Sequence, residues 1–451
     1  MRTDTIAAIA TPLGEGGIGI VRISGPSALK ITKKLFNPTK KTTYKSHVMN
    51  HGWIKNGSRY VDEVMVSYMK APNSYTGEDI VEISCHGGVV LLKNVLDLVI
   101  KGGARLAEKG EFTKRAFLNG KMDLTRAEAV IDAIKAKTVP ASHIAAAHLK
   151  GSLAGLIFDI RGQLVALLAE IEASIDFPDE IGEVPRNKLL KRVGKALKAA
   201  NRLIRTADAG QIFREGVSLA IVGRPNVGKS SLMNALLRRD RVIVTDTPGT
   251  TRDTIEEMLD IDGMPARIID TAGIRAPRHC AERHGINRAY EVIQGADVVL
   301  LVLDLSEQIK KEDRLLIEAT KDNKRVIVYN KSDMPKKLLI QGLRFNAPCA
   351  MVSAKNWTGM GKLERTIRNT ILGNKVVAVN ADVMINSRQK QCLLRAKNSL
   401  EQCLGSIKEG READIMAIDL KGAIKSLGEV TGETVSEEII RTIFERFCVG
   451  K

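Results

Sequence analysis

A chain of 451 residues with 44% hydrophobic and 27% charged side chains has the composition of soluble globular protein and length for about three domains. Its net charge of +17 and pI near 9.5 point to an anionic partner larger than one nucleotide, RNA first, set against a merely solvated basic surface. Aromatic content of 4%, with no RRM- or KH-like signature, argues against a dedicated base-stacking platform.

Six cysteines, Cys85, Cys280, Cys349, Cys392, Cys403 and Cys448, lie far apart. The lack of a C-x-x-C pair argues against zinc and for free thiols in a reducing, cytoplasmic setting. The first residues lack a signal pattern, and no apolar run reads as long enough to cross a bilayer, so no membrane role is expected.

Residues 1–118 read as a small α+β domain, with strands at Ile18–Ile23 and Val61–Met69 and a helix at Val89–Ile100. Gly14 to Gly19 fits G-x-G-x-x-G, but its glycines open a strand rather than a helix, so the dinucleotide reading fails. Polar residues gather in Gly-rich turns: Arg22, then Asn73 to Asp79 with Glu82, His86-Gly87-Gly88, and Gly110 to Lys121. Such loops carry function often without naming a ligand. His86 has no second ligand at metal spacing.

Residues 119–214 turn helical. Leu149, Leu153, Leu156, Ile160, Leu164, Leu167, Ile171 and Ile175 recur at three and four, which predicts one long helix ending before Pro178. The stripe reads as core.

Residues 215–375 carry the chemistry. A buried strand at Val217–Val222 runs into Gly223-Arg224-Pro225-Asn226-Val227-Gly228-Lys229-Ser230-Ser231, followed by a helix from Ser231 to Leu237. This is the phosphate loop G-x-x-x-x-G-K-[ST]: its backbone N–H groups and helix N-terminus cradle phosphates, Lys229 reaches the β- and γ-phosphates as a catalytic cation, and the Ser230 hydroxyl takes Mg²⁺. Downstream, Thr245-Asp246-Thr247-Pro248-Gly249-Thr250-Thr251 offers Thr251 to complete the Mg²⁺ shell. A strand at Arg267–Ile269 delivers Asp270-Thr271-Ala272-Gly273, where Asp270 serves the metal and Gly273 the γ-phosphate. Strands at Val326–Tyr329 and Ala350–Val352 deliver Asn330-Lys331-Ser332-Asp333 and Ser353-Ala354-Lys355. A carboxylate at Asp333 pairs with the N1–H and N2 amine of guanine, which adenine lacks, so the nucleotide is GTP.

Two absences shape the expected mechanism. No arginine finger is evident, whereas Asn226 has an amide oxygen inside the phosphate loop. K⁺ held by Asn226 and by oxygens around Thr245, Thr247 and Thr250 could stabilise developing phosphate charge, against the simpler reading that Asn226 bonds local backbone. The position after Asp270 to Gly273 is Ile274, which cannot orient water as a Gln does. Glu282 is the one carboxylate in the polar segment Arg275 to Gly285, and by spacing alone a solvated surface residue.

Residues 376–451 resume the helical pattern through Cys392, Leu393, Leu400 and Leu404, then Ile415 to Phe447. One helical domain interrupted by the GTPase domain is the economical architecture. The closing Phe447-Cys448-Val449-Gly450-Lys451 reads, from physics alone, as a fraying end with an inert thiol.

Across the chain the sequence resembles the MnmE (TrmE) family of tRNA-modification GTPases, within the TrmE-Era-EngA-like group. The resemblance is carried by Gly19-Ile20-Val21-Arg22-Ile23-Ser24-Gly25, Thr76-Gly77-Glu78-Asp79, His86-Gly87-Gly88, Gly110-Glu111-Phe112 and Ala116-Phe117-Leu118-Asn119, with Ile175 to Glu180 and the Phe-Cys-Val-Gly-Lys end. Cys85 stands where Gly is common, and His279-Cys280 in a usually acidic segment.

The resemblance implies an N-terminal domain for tetrahydrofolate binding and dimerisation, taking formyl- or methylene-tetrahydrofolate through Arg22, Glu82, Lys121 and Lys451. It places Cys448 near the one-carbon unit and makes Glu282 the catalytic carboxylate. It also implies a homodimer, and a heterotetramer with the partner MnmG (GidA), which would hold FAD, since no flavin fingerprint occurs here. The expected function is addition of an aminomethyl or carboxymethylaminomethyl group to C5 of the tRNA wobble uridine, position 34. A ribosome-assembly GTPase binding rRNA, and a pure switch, are the competing classes.

Overall fold

A computed structural model describes residues 4–240, 258–269, 292–339, 345–373 and 383–451. Among these, the N-terminal part contains β1 (Ile6–Ile9), β2 (Gly16–Ser24), α1 (Ala28–Leu35), β3 (Phe36–Pro38), β4 (Val48–Asn56), β5 (Arg59–Met69), β6 (Ile80–Gly87), α2 (Val89–Lys101), β7 (Arg105–Leu106) and α3 (Glu111–Leu118). The strands form one sheet in the order β3-β4-β5-β6-β2-β1-β7, antiparallel except for β1 beside β7. Period-two alternation sends Val21, Ile23, Val64, Val66, Val81 and Ile83 to the face covered by α1 and α2. Gly19 permits that packing, because a Cβ there would lie 2.4 Å from Leu92 Cδ1. The segment Gly14 to Gly19 enters a strand, as its failure to fit the dinucleotide pattern requires.

The helical part comprises α4 (Leu124–Lys135), α5 (Val139–Lys150), α6 (Ser152–Asp176), α7 (Pro178–Ile181), α8 (Arg186–Ile204) and α9 (Ala207–Glu215). The long helix expected from Leu149 onward is two helices, broken at Gly151, whose φ of +99° is left-handed. The buried stripe of α6 is Leu153, Ile157, Ile160, Leu164, Leu167 and Ile171, while Leu149 and Leu156 face solvent. An apolar run with two alternative stripes is resolved only by what packs against it. Contrary to expectation, α6 is long and apolar enough to cross a membrane by length and composition; here one face is buried in the helical core.

The GTPase part comprises β8 (Val217–Val222), α10 (Lys229–Asp240), β9 (Met258–Ile261), β10 (Met264–Ile269), β11 (Val298–Asp304), α11 (Lys311–Ala319), β12 (Arg325–Asn330), β13 (Cys349–Met351) and α12 (Met360–Leu372). Its sheet runs β13-β12-β11-β8-β10-β9, parallel except for the β9–β10 hairpin. The fully buried runs of β8 and β11 are what a sheet covered on both faces requires.

The chain then returns as α13 (Ser387–Glu409), α14 (Ala413–Thr431) and α15 (Glu437–Phe444). α13 and α14 complete one core with α6 and α8, so the GTPase part is an insertion into the helical part. The re-entry is pinned by backbone donors: Met384 N–H to His148 Nε2 at 3.3 Å and Ile385 N–H to Thr206 Oγ1 at 3.3 Å.

Candidate functional site

The phosphate loop leaves the C-terminal end of β8, where ligands of open α/β sheets bind. Gly223 is needed because a Cβ would meet Val302 O at 2.6 Å. Gly228 has φ +95° and lies so close to Asn330 that a Cβ would be 2.3 Å from its Nδ2. Asn226 is itself left-handed, at φ +64°, and is exposed. Lys229 donates to the carbonyls of Gly223 at 2.7 Å and Arg224 at 2.9 Å. Burial, then the Arg224 charge, push its pKa below the ordinary lysine value. Ser230 is exposed in the first turn of α10, and Val227 packs inward. A loop of N–H groups, a cation and a free-facing hydroxyl has the donor set that GTP with Mg²⁺ needs.

The two loops expected to read the base are stitched to this one. Buried Asn330 donates from Nδ2 to Val227 O at 2.9 Å and accepts from Ala354 N–H at 3.2 Å. Its amide, expected to read guanine, thus ties all three loops together, and Asp333 is the exposed group at that end. Lys331, left-handed at φ +62°, donates to Asp304 Oδ2 at 2.6 Å. The Asp333 carboxyl is held below the usual range by a Ser353 hydrogen bond first, then by its own backbone N–H, with Lys355 and Lys331 contributing charge. Ser353 is fully buried, and Ser332 N–H donates to Val352 O at 3.1 Å. The expected positions Thr245, Asp246, Thr247, Pro248, Gly249, Thr250, Thr251, Asp270, Thr271, Ala272, Gly273 and Glu282 lie outside the described residues.

A second constellation lies on the N-terminal sheet. Arg22 of β2 donates from Nε to Glu82 Oε1 of β6 at 2.8 Å and from Nη1 to Gly450 O at 3.2 Å. Its guanidinium lies 5.7 Å from the ring centroids of both Tyr75 and Phe112.

The expected frayed end is docked. Val449 bridges Lys109, Gly110 N–H donates to Cys448 O at 3.3 Å, and Phe447 is buried with Leu124, Ala127, Ile440 and Phe444. Burial, then the Arg22 charge, push the Lys451 ammonium below its ordinary pKa, against Glu82 and Cys448. The Cys448 side chain is exposed. Lys121 instead donates to Pro72 O at 2.9 Å.

The sequence reading missed Tyr75, Phe112 and the Gly450 carbonyl as partners of Arg22. It also missed why the neighbouring motifs exist. Ser24 Oγ donates to Glu78 at 2.7 Å, and Arg115 bonds Glu78 at 3.2 Å, Asp4 at 2.9 Å and Glu111 at 3.0 Å. Against the opposing effect of burial, Arg105, the Glu108 N–H and Arg115 hold the Glu111 carboxyl down to about 2. These ion pairs clamp the 74–79 loop and α3, which carry the two rings beside Arg22. His86 Nδ1 meets Asp62 Oδ1 at 2.6 Å, and among the described residues no cluster of three or more His, Cys, Asp or Glu side chains could hold a metal.

Comparison with known proteins covers the whole chain. A family model described as the MnmE helical domain matches residues 124–448, and one described as the GTP-binding protein TrmE N-terminus matches 5–121. The tRNA modification GTPase MnmE of Thermoanaerobacter pseudethanolicus is 46% identical, the alignment covering 99% of each chain. That of Enterococcus faecalis is 44% identical over 100% of this chain and 99% of its own. Among solved structures, the G domain of the Thermotoga maritima FeoB iron transporter is 28% identical, covers 34% of this chain and 98% of its own, and aligns with a TM-score of 0.26.

Proposed function

The chain belongs to the MnmE family of tRNA-modification GTPases, and on that premise we propose how its two constellations divide the labour. It is a GTP-hydrolysing enzyme that uses Mg²⁺ and acts in tRNA wobble-uridine modification. Phosphoryl transfer asks mainly for positioning and charge stabilisation, which the loop N–H groups and Lys229 supply. Asp333 selects the base. Ser230 and Thr251 would hold the Mg²⁺, which neutralises charge on the phosphates. Asn226, Thr245, Thr247 and Thr250 would ligate K⁺, and Glu282 would orient water. Exposed Asn226 at the rim of the loop supports the K⁺ reading. Hydrolysis equally fast in sodium and potassium would overturn it.

The N-terminal constellation is read as a tetrahydrofolate site for the one-carbon unit added at C5. Arg22, Glu82 and Lys451 would hold the folate, Lys121 would join them from the neighbouring loop, and Cys448 would face the transferred carbon. The observation that carries this reading is the docking of Gly450 against Arg22 across the whole length of the chain. Nothing in nucleotide hydrolysis calls for that contact. Arg22 is held by one carboxylate, one carbonyl and two rings, an arrangement suited to fixing a planar, anionic ligand.

The FAD is assigned to the partner MnmG, in a heterotetramer built on a homodimer in the cytoplasm, with functional units at 1–118, 119–214, 215–375 and 376–451. Nucleoside mass spectrometry of tRNA from cells lacking the protein tests the whole. Loss of the C5 modification at position 34, restored by the full chain and not by one lacking its last four residues, is expected. Full modification without the protein refutes the function. Rescue by the truncated chain refutes the site.

A further inference from the structure

The net charge of the chain is unevenly spent. Residues 186–205 contain eight Lys or Arg and no Asp or Glu. They form α8 and its C-terminal cap, Arg205. The apolar side of α8, Leu189, Val193, Ala196, Ala200 and Leu203, is buried in the helical core. At 100° per residue, Lys191, Lys195, Lys198, Arg202 and Arg205 fall on the opposite side, and all five are exposed. They span roughly 21 Å along the axis at 1.5 Å per residue.

Two of their neighbours have a carboxylate partner. Lys188 and Arg192 share Glu170 at 2.8 and 2.7 Å. Among the described residues, none of the five has an ion-pair partner. Lys191 with Lys195, and Lys198 with Arg202, are like charges four apart, which weakens a helix. The first turn has no acidic residue, so the helix dipole goes uncompensated there as well. Folding gains nothing from this pattern. Gly194 lies on the same side, and a Cβ there would meet nothing within 4 Å. It is thus not required by packing, and it leaves a flat place among the long cations where a polymer backbone can come close.

Resting on the reading of tRNA as the macromolecular substrate, we infer that the outer side of α8 is a docking surface for the RNA phosphate backbone. A row of unpaired cations suits a row of phosphates, and binding would release their counterions. An anionic membrane offers the same charge, but insertion needs an apolar face, and that of α8 is already buried. The stripe carries no aromatic group, so it would position RNA without reading its sequence.

The test compares the full-length protein with its K191Q/K195Q/K198Q variant. Glutamine keeps helix propensity at exposed positions, and the GTPase rate reports that the fold survives. tRNA binding is measured across a potassium chloride series, beside sedimentation with vesicles of phosphatidylcholine and phosphatidylglycerol in equal parts. The variant should bind tRNA on the order of 10–100-fold more weakly, with a salt slope shallower by about 2–3. It should hydrolyse GTP like wild type. Wild-type tRNA binding with an unchanged variant overturns the docking surface alone. No tRNA binding by wild type overturns the tRNA reading and this surface together. Binding to vesicles but not to tRNA, lost in the variant, assigns the stripe to a membrane and overturns it as an RNA surface.

Discussion

Replacing Gly450 by Ala should release the C-terminal tail from Arg22. Gly450 has φ +96°, and a Cβ there would lie 2.3 Å from Ile9 O and 3.0 Å from Ala10 Cα. The left-handed backbone costs a residue with a side chain about 1–2 kcal/mol. The contact is with backbone at the end of β1, where Ile9 pairs with Val21 of β2, so it cannot be relieved by turning a side chain. The docked-to-free ratio of the tail should therefore fall by at least roughly 5–30-fold. Arg22 would keep Glu82 and lose the Gly450 carbonyl. Gly57→Ala is the matched control: its φ of +62° carries a similar backbone cost, and a Cβ there meets nothing within 4 Å. Hydrogen exchange of residues 446–451 reads docking, and wobble-uridine modification by the complete enzyme system reads function. Faster exchange and impaired modification are expected for Gly450→Ala only, with GTP hydrolysis unchanged in both. Wild-type protection and full modification in Gly450→Ala would refute the tail's part in the site.

Asp333→Asn should lower GTP affinity by at least about 10²-fold and favour xanthosine triphosphate, because a site loses heavily when its matched polar partner goes; unchanged preference in a competition assay rules out Asp333 as the guanine reader. Glu282→Ala should keep nucleotide affinity and cut single-turnover hydrolysis in potassium by on the order of 10²–10⁴. A wild-type rate would end its assignment. Burial first, and Arg214 second, push His148 down to about 4 against Glu128, so it folds neutral. The unfolded chain protonates it near 6.5, so stability present above that pH is lost as pH falls toward 4, by about 2 kcal/mol between pH 7 and 5. His148→Gln should lack that part of the pH dependence; a His148 ring titrating near 6.5 by NMR contradicts the burial argument.

What could be read without coordinates was whatever has chemistry local in the chain. The phosphate loop needs two glycines, a lysine and a hydroxyl within nine residues, and buried parallel strands read as apolar runs; hence β8, β10, β12 and β13 fall within a few residues of their expected places. Periodicity was weaker where one segment supports two stripes. Leu149 and Leu156 fitted the helical count, but the left-handed Gly151 and the packing of α8, α13 and α14 chose the stripe beginning at Leu153. Asn330 shows how a motif residue can be located and its contacts missed: its amide lies where expected, yet its bonds go to Val227 and Ala354. The N-terminal constellation was least legible. Arg22 and Gly450 are 428 residues apart, and no local pattern in either segment reports the other. Tyr75 and Phe112 looked like loop and helix residues because the ion pairs that place them, through Glu78, Arg115 and Glu111, join segments separated by 37 residues or more to one another and to Asp4. The basic stripe on α8 is the opposite case. Its three-and-four spacing is visible in the sequence, but the charges carry meaning only once the far side of the helix is known to be buried and the cations are known to lack carboxylate partners among the described residues. A solvated helix and a docking surface have the same letters; the difference lies in which carboxylates the fold brings near, and among the described residues Glu170 reaches Lys188 and Arg192.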